Sequence, residues 1–159
     1  MPRIDAATAG GANVCAMLDT IAQSEGTSII QNSDDGYNVI VGGGLFDSYA
    51  DHPRVFVDLP YLGIKSSAAG RYQILAHIFD FYKAQLNLPD FSPVSQDKIA
   101  IQMLKEVHAI GALATGDFTT AVTQASNRWA SFPGNSYGQH QNKIADLEHV
   151  YEAAGGVVA

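Results

Sequence analysis

The apolar positions Val14, Leu18 and Ile21 recur at helical spacing, and the next step of four lands on Glu25. The spacing therefore predicts a helix that carries an acid on its apolar face, with Gly26 as its stop. Beyond it the pattern changes. Asp34, Asp35 and Gly36 form a turn cluster, followed by Tyr37, Val39 and Val41 in alternation and then three glycines. This predicts a short β-hairpin or small sheet within 28–50. Residues 51–69 contain two prolines and no sustained period, and predict a long surface loop of the kind that often carries function.

Helical patterning dominates the rest. Tyr72, Leu75, Ala76, Phe79, Tyr82 and Leu86 share one stripe. A second helix opens at Ser92 as cap and Pro93 as first residue, where its missing N–H costs nothing. Asp117 is a candidate cap for a helix running to about 130, "SFPGNSYGQ" breaks the pattern, and a last helix runs from about 141 to Gly155 and Gly156. About five helices with one small sheet predict an α+β, mainly helical domain. The small polar residues 1–10 are expected to form a loose arm ahead of a single domain spanning 1–159.

Composition narrows the function. The 159 residues carry 47% hydrophobic and 16% charged side chains, as in an ordinary globular protein whose core hides roughly 70% of the unfolded surface. The formal net charge is −7, and the nine lysines and arginines form no basic stripe, which argues against nucleic acid as a partner. The one cysteine, Cys15, rules out an intrachain disulfide and reads as a small core residue. No apolar run approaches the ~20 residues of a membrane span, and 1–13 lack a signal-peptide layout. The five histidines are dispersed without metal-ligand spacing, "GGG" at 42–44 lacks the lysine of a phosphate loop, and no Gly-x-Ser-x-Gly elbow is present. Neither metal nor cofactor is expected.

Glu25 remains. A carboxylate facing apolar neighbours loses hydration in its charged form, and the carbonyl end of its helix adds negative potential, so its pKa rises. A raised pKa keeps a proton available to a general acid. The competing reading is a frayed helix end where Glu25 simply reaches water.

Five blocks decide between these readings: "SEGT" at 24–27, "GYNVIVGGGLFDSYADHPR" at 36–54, "AAGRYQIL" at 68–75, "LPDFSPVSQD" at 88–97 and "SNRWASFPGNSYGQ" at 126–139. In this order and spacing, from about residue 20 to residue 157, the chain resembles the bacteriophage lambda endolysin family. The resemblance implies a lysozyme-like fold and a lytic transglycosylase that cuts peptidoglycan between N-acetylmuramic acid and N-acetylglucosamine. Glu25 takes the place of the family acid. It would protonate the glycosidic oxygen and then help the muramic C6 hydroxyl close on C1, leaving a 1,6-anhydro end. Because the substrate supplies the attacking hydroxyl, one carboxylate can suffice where ordinary glycosidases need two.

Supporting roles follow from the same resemblance. Gln73 and Tyr72 of "GRYQ" would line the cleft, as would Gln139. Tyr137 would hydrogen-bond the acid or a sugar, and Trp129 could stack on a sugar ring. Segments 51–66 and about 130–141 would be the two lips of the cleft, with Arg54 and Lys65 adding positive charge near peptidoglycan carboxylates. The chain departs from the family pattern at Asn38, where the family has aspartate, and its run from Gly26 to Gly36 is shorter. That leaves open a hydrolytic muramidase in which Asp34, nine residues after Glu25, helps water attack. A non-catalytic glycan-binding module is a third possibility. Peptidoglycan strands are the expected partner, the protein is expected to be monomeric, and the resemblance implies an enzyme held in the host cytoplasm until a holin-type membrane lesion lets it reach the wall.

Overall fold

The computed structural model describes all 159 residues and contains seven helices and one two-stranded sheet. Helix α1 spans Ala6–Ala9 and α2 Ala12–Ser24; strands β1 (Val57–Leu59) and β2 (Ile64–Ser66) follow, then α3 (Ala76–Gln85), α4 (Pro93–Glu106), α5 (Ala109–Ala114), α6 (Phe118–Ala125) and α7 (Ile144–Ala153). The fold is mainly helical α+β, as the patterning predicts.

Helix α2 lies at the centre. Ala16, Met17, Leu18, Ile21 and Ala22 have no exposed surface, because α1, α4, α5 and α7 all pack against it. A helix enclosed this far around its circumference delivers whatever stands at its end into the interior of the molecule, not onto a free surface. One apolar cluster runs from Ile4 to Tyr151 and joins the elements. Cys15 is only half-buried at its margin.

The first ten residues do not form a loose arm. Ile4 is buried, and the backbone N–H groups of Arg3 and Ile4 donate to Oδ2 of Asp97 at 2.8 and 2.9 Å. Asp5 then caps the short helix α1 through the N–H of Thr8 at 2.9 Å. The small polar composition suggested disorder because the partner that orders it, a carboxylate with no exposed surface, lies more than ninety residues away.

The sheet also sits elsewhere than expected. Residues 37–45 form turns joined by isolated bridges, Val39 to Leu45 and Ile40 to Ala69. The hairpin proper lies in the segment expected to be a loop: β1 and β2 pair antiparallel, with Val57 opposite Ser66 and Leu59 opposite Ile64. Its strands are three residues long and do not alternate between core and solvent, so periodicity could not find it.

Two helix boundaries move as well. The stripe beginning at Tyr72 becomes helical only at Ala76, because Gly70 and Gln73 take left-handed backbone angles (φ 79° and 51°) and Ala69 bridges Ile74. Helix α6 starts on its Asp117 cap, which accepts from Thr120 N at 3.1 Å, but ends at Ala125. At the start of α4, Pro93 occupies the first turn, whereas the Ser92 hydroxyl caps no backbone N–H.

Candidate active site

The last turn of α2 positions the acid. Glu25 keeps helical angles, and its N–H donates to Ile21 O at 2.8 Å. Gly26 then reverses the chain at φ 72°, and Thr27 N returns to Ala22 O at 3.1 Å. Thr27 is buried, and its hydroxyl donates to Arg71 O at 2.7 Å, tying "SEGT" to "GRYQ". Gly36 packs on it so closely that an added Cβ would meet Thr27 at 2.9 Å. The acid therefore stands between two fixed pieces of chain and does not fray.

Glu25 is half-buried, and its Oε1 accepts the Ser131 hydroxyl at 2.6 Å. Burial raises its pKa above the ordinary carboxylate range, while the hydroxyl and backbone N–H of Ser131 partly oppose the rise. The carboxyl opens on a chamber of ≈ 220 Å³. The β1–β2 hairpin contributes Leu59, Tyr61 and Ser66 to its walls. Gln73 and Leu75 come from the stretch before α3, and Arg128, Trp129, Ala130 and Gln139 from the opposite side. Both expected lips thus reach the acid. A second chamber of ≈ 330 Å³ adjoins the first along Gln73, Leu75, Arg128 and Ala130 and extends over Ile78, Met103 and Tyr137.

The expected site residues divide accordingly. Gln73 and Gln139 line the chamber with Glu25, and the Gln73 amide is held by Gly70 O at 3.0 Å. Trp129 contributes an edge of the wall but is 2% exposed, its indole N–H donating to Tyr72 O at 3.1 Å; it is a core residue with no free face for a sugar. Tyr72 is core too, its hydroxyl bonded to the buried Asp97. Tyr137 belongs to the second chamber, and its hydroxyl donates to Asn127 O at 2.6 Å instead of to the acid. Arg54 lies outside the chamber in ion pairs with Asp51 and Asp80, at 2.9 and 2.7 Å. Lys65 faces its cross-strand neighbour Asp58 at 3.8 Å.

Asp34 does not join Glu25. Its two oxygens are taken by Arg3 and by the Tyr49 hydroxyl, at 2.5 and 2.8 Å, and it does not line the chamber. Glu25 is the only carboxylate among the lining residues. Sequence reasoning missed Ser131, Arg128 and Tyr61. The first two lie within the quoted block 126–139, but neither a lone serine nor a lone arginine has a period to betray its role.

An acid at the end of an enclosed central helix, open to a groove between two lips, defines a lysozyme-like enzyme. A family model described as Endolysin matches residues 15–158. The chain is 48% identical over 146 residues to the endolysin of Escherichia phage lambda, covering 90% of this chain and 91% of that one. It is 42% identical over 159 residues to the endolysin of Escherichia phage P2, covering 92% and 95%. The solved bacteriophage lambda lysozyme complexed with a chitohexasaccharide superposes over the full length of both chains with a TM-score of 0.90 at 44% identity. The chain belongs to the endolysin family, lysozyme-like enzymes that degrade peptidoglycan.

Proposed function

We propose that the protein cleaves the β-1,4 bond between N-acetylmuramic acid and N-acetylglucosamine by lytic transglycosylation. Glu25 donates its proton to the glycosidic oxygen as the bond to C1 breaks. As carboxylate it then takes the proton of the muramic C6 hydroxyl, whose oxygen closes on C1. The products are a new N-acetylglucosamine 4-hydroxyl and a 1,6-anhydromuramic end, with no water consumed and the proton restored to Glu25.

The observation that carries this reading is the solitary carboxylate in the groove. Hydrolytic glycosidases set two carboxyl groups about 5–9.5 Å apart across the scissile bond, the second acting as nucleophile or activating water. Here the nearest candidate in sequence, Asp34, is engaged by Arg3 and Tyr49. An internal hydroxyl held near C1 replaces that second group, and positioning becomes the main catalytic task. The raised pKa of Glu25 suits an acid that must hold a proton near neutrality. A β-1,4-linked amino-sugar hexamer bound to the lambda lysozyme supports a glycan strand as the occupant of the groove. No helix is long and apolar enough to cross a membrane, and family membership supports release to the wall through a holin-type lesion.

Mass spectrometry of digested, purified peptidoglycan tests the reaction. Anhydromuramic ends are expected; reducing muramic ends would replace this reading with hydrolysis. Glu25→Gln is expected to lower turnover about 10²-fold or more while leaving the fold intact. Wall lysis at the native rate by that variant would remove Glu25 from the chemistry, and binding without any lysis by the native protein would leave a glycan-binding module.

A further inference from the structure

Behind Glu25 runs a chain of side chains that the acid–base roles above do not use. Ser131 donates to Oε1 of Glu25 at 2.6 Å, Ser24 donates to Ser131 Oγ at 2.8 Å, and Asn142 Nδ2 donates to Ser24 Oγ at 2.9 Å. The links come from three separate parts of the sequence: the end of α2, the turn after α6 and the residue two before α7.

The chain has a direction, and Asn142 fixes it. Its Nδ2 also faces the carbonyl oxygens of Ser24 and Ser131, at 3.3 and 3.4 Å, so the amide cannot turn its oxygen inward without opposing two acceptors. The backbone N–H of Asn142 donates to Ser131 O at 2.8 Å and holds the residue in place. An amide NH₂ only donates. Ser24 Oγ therefore receives from Asn142 and spends its single proton on Ser131, which in turn spends its own on Glu25. Each hydroxyl both accepts and donates, and every proton points toward the acid.

Resting on the reading that Glu25 is the acid, we propose that Asn142 is a positioning residue whose side-chain amide polarises this chain. Oε1 of Glu25 is thereby kept as a permanent acceptor, and Oε2 alone carries the transferable proton. A proton on Oε1 would meet the Ser131 proton head-on, so the neutral acid has one arrangement. The same oxygen then gives the proton to the leaving group and takes it back from the C6 hydroxyl. Turnover needs no rotation of the carboxyl group between the two steps.

A pH profile separates this role from simple bracing. Activity requires protonated Glu25 and falls as pH rises through its pKa. Donation along the chain favours the ionised form, so weakening it moves that falling limb to higher pH. The other charged or titratable groups facing the chamber are Tyr61 from the hairpin and Arg128, paired with Glu106 at 3.0 Å. Further back on α2, Asp19 is paired with Arg71 at 2.7 Å. None of them touches Asn142 or Ser24 through a hydrogen bond or ion pair; the side-chain partners of those two residues are each other and Ser131.

Initial rates on purified peptidoglycan would be measured from pH 4 to 9 for the native protein, Asn142→Ala, Asn142→Asp and Ser24→Ala, with Glu25→Gln as reference. Asn142→Asp turns the donor into an acceptor, and its limb is expected to move up by about one unit, one hydrogen bond's worth. Asn142→Ala and Ser24→Ala are expected to move it in the same direction by less. Equal loss of rate at every pH with an unmoved limb would overturn the proposal and leave Asn142 as a brace. If a variant at 142 fails to fold, Ser24→Ala decides, because it breaks the middle link and spares the Asn142 contacts to Ser131 O. An active Glu25→Gln would instead strike the reading on which the proposal rests, whatever the other profiles do.

Discussion

At the scale of single residues, the half-buried Glu25 and the fully buried Asp97 show opposite uses of a carboxyl group. Glu25 has a single hydroxyl donor and an open face, and burial raises its pKa. Asp97 has no exposed surface and accepts from Arg3 N, Ile4 N and the hydroxyls of Tyr37 and Tyr72. Burial pushes both tyrosine hydroxyls well above their usual pKa, and the charge of Asp97 adds to the rise. Asp97→Ala would strand three buried donors, Ile4 N and the two tyrosine hydroxyls, while Arg3 N keeps the Tyr37 hydroxyl at 3.1 Å, and should cost about 3 kcal/mol or more in urea unfolding. Asp97→Asn keeps an acceptor oxygen and should cost less. The lytic product should be unchanged in whatever fraction stays folded. Glu25 was legible in the sequence because a helical count placed it on the apolar face. Asp97 was hidden because its donors are two backbone groups and two tyrosines spread along the chain, none of which leaves a periodic trace.

At the scale of elements, the β1–β2 hairpin is the part that sequence patterning failed to find and that the groove depends on. Its tip carries Tyr61, 74% exposed and one of the residues lining the chamber on which Glu25 opens. An aromatic side chain left in water at the mouth of the groove gains little for the fold there, and a sugar ring of the proposed substrate can cover it. Tyr61→Ala should remove about 1 kcal/mol of substrate contact, a rise of about five-fold in KM, with unfolding midpoint and kcat nearly unchanged. Tyr61→Phe should stay close to the native protein, since the ring and not the hydroxyl makes the contact. An unchanged KM in Tyr61→Ala would show that the lip does not close on the substrate. The hairpin escaped detection because neither of its faces packs fully into the core. The long helices were found, apart from their ends, because each buries one continuous stripe.

At the scale of the whole molecule, the five matched blocks turn out to be the pieces that meet behind the acid. Gln96 of "SPVSQD" accepts from Arg71 N at 2.9 Å and donates to Tyr37 O at 3.0 Å, joining "GRYQ" to "GYN". Gly70, at φ 79°, lies where any Cβ would strike that glutamine. Ser131 and Trp129 bring the last block to Glu25 and Tyr72. This convergence explains why a resemblance spread along the sequence carried the fold so well: the similar residues are those that assemble the site's frame. The electrostatic field is the property that local motifs do not reveal. The net charge is −7, and Arg3, Arg54, Arg71 and Arg128 all lie in ion pairs with carboxylates. Peptidoglycan, the proposed substrate, bears peptide carboxylates, so enzyme and wall repel at long range. Raising salt from about 10 to about 150 mM shortens the screening length from about 30 to about 8 Å. The apparent kcat/KM on purified peptidoglycan should therefore rise over that range, since screening removes a barrier to encounter. A fall would mean that Arg128, which lines both chambers, attracts the strand locally with more effect than the net charge repels it. Arg128→Gln would then abolish the salt dependence, whereas under the long-range reading it would steepen the rise.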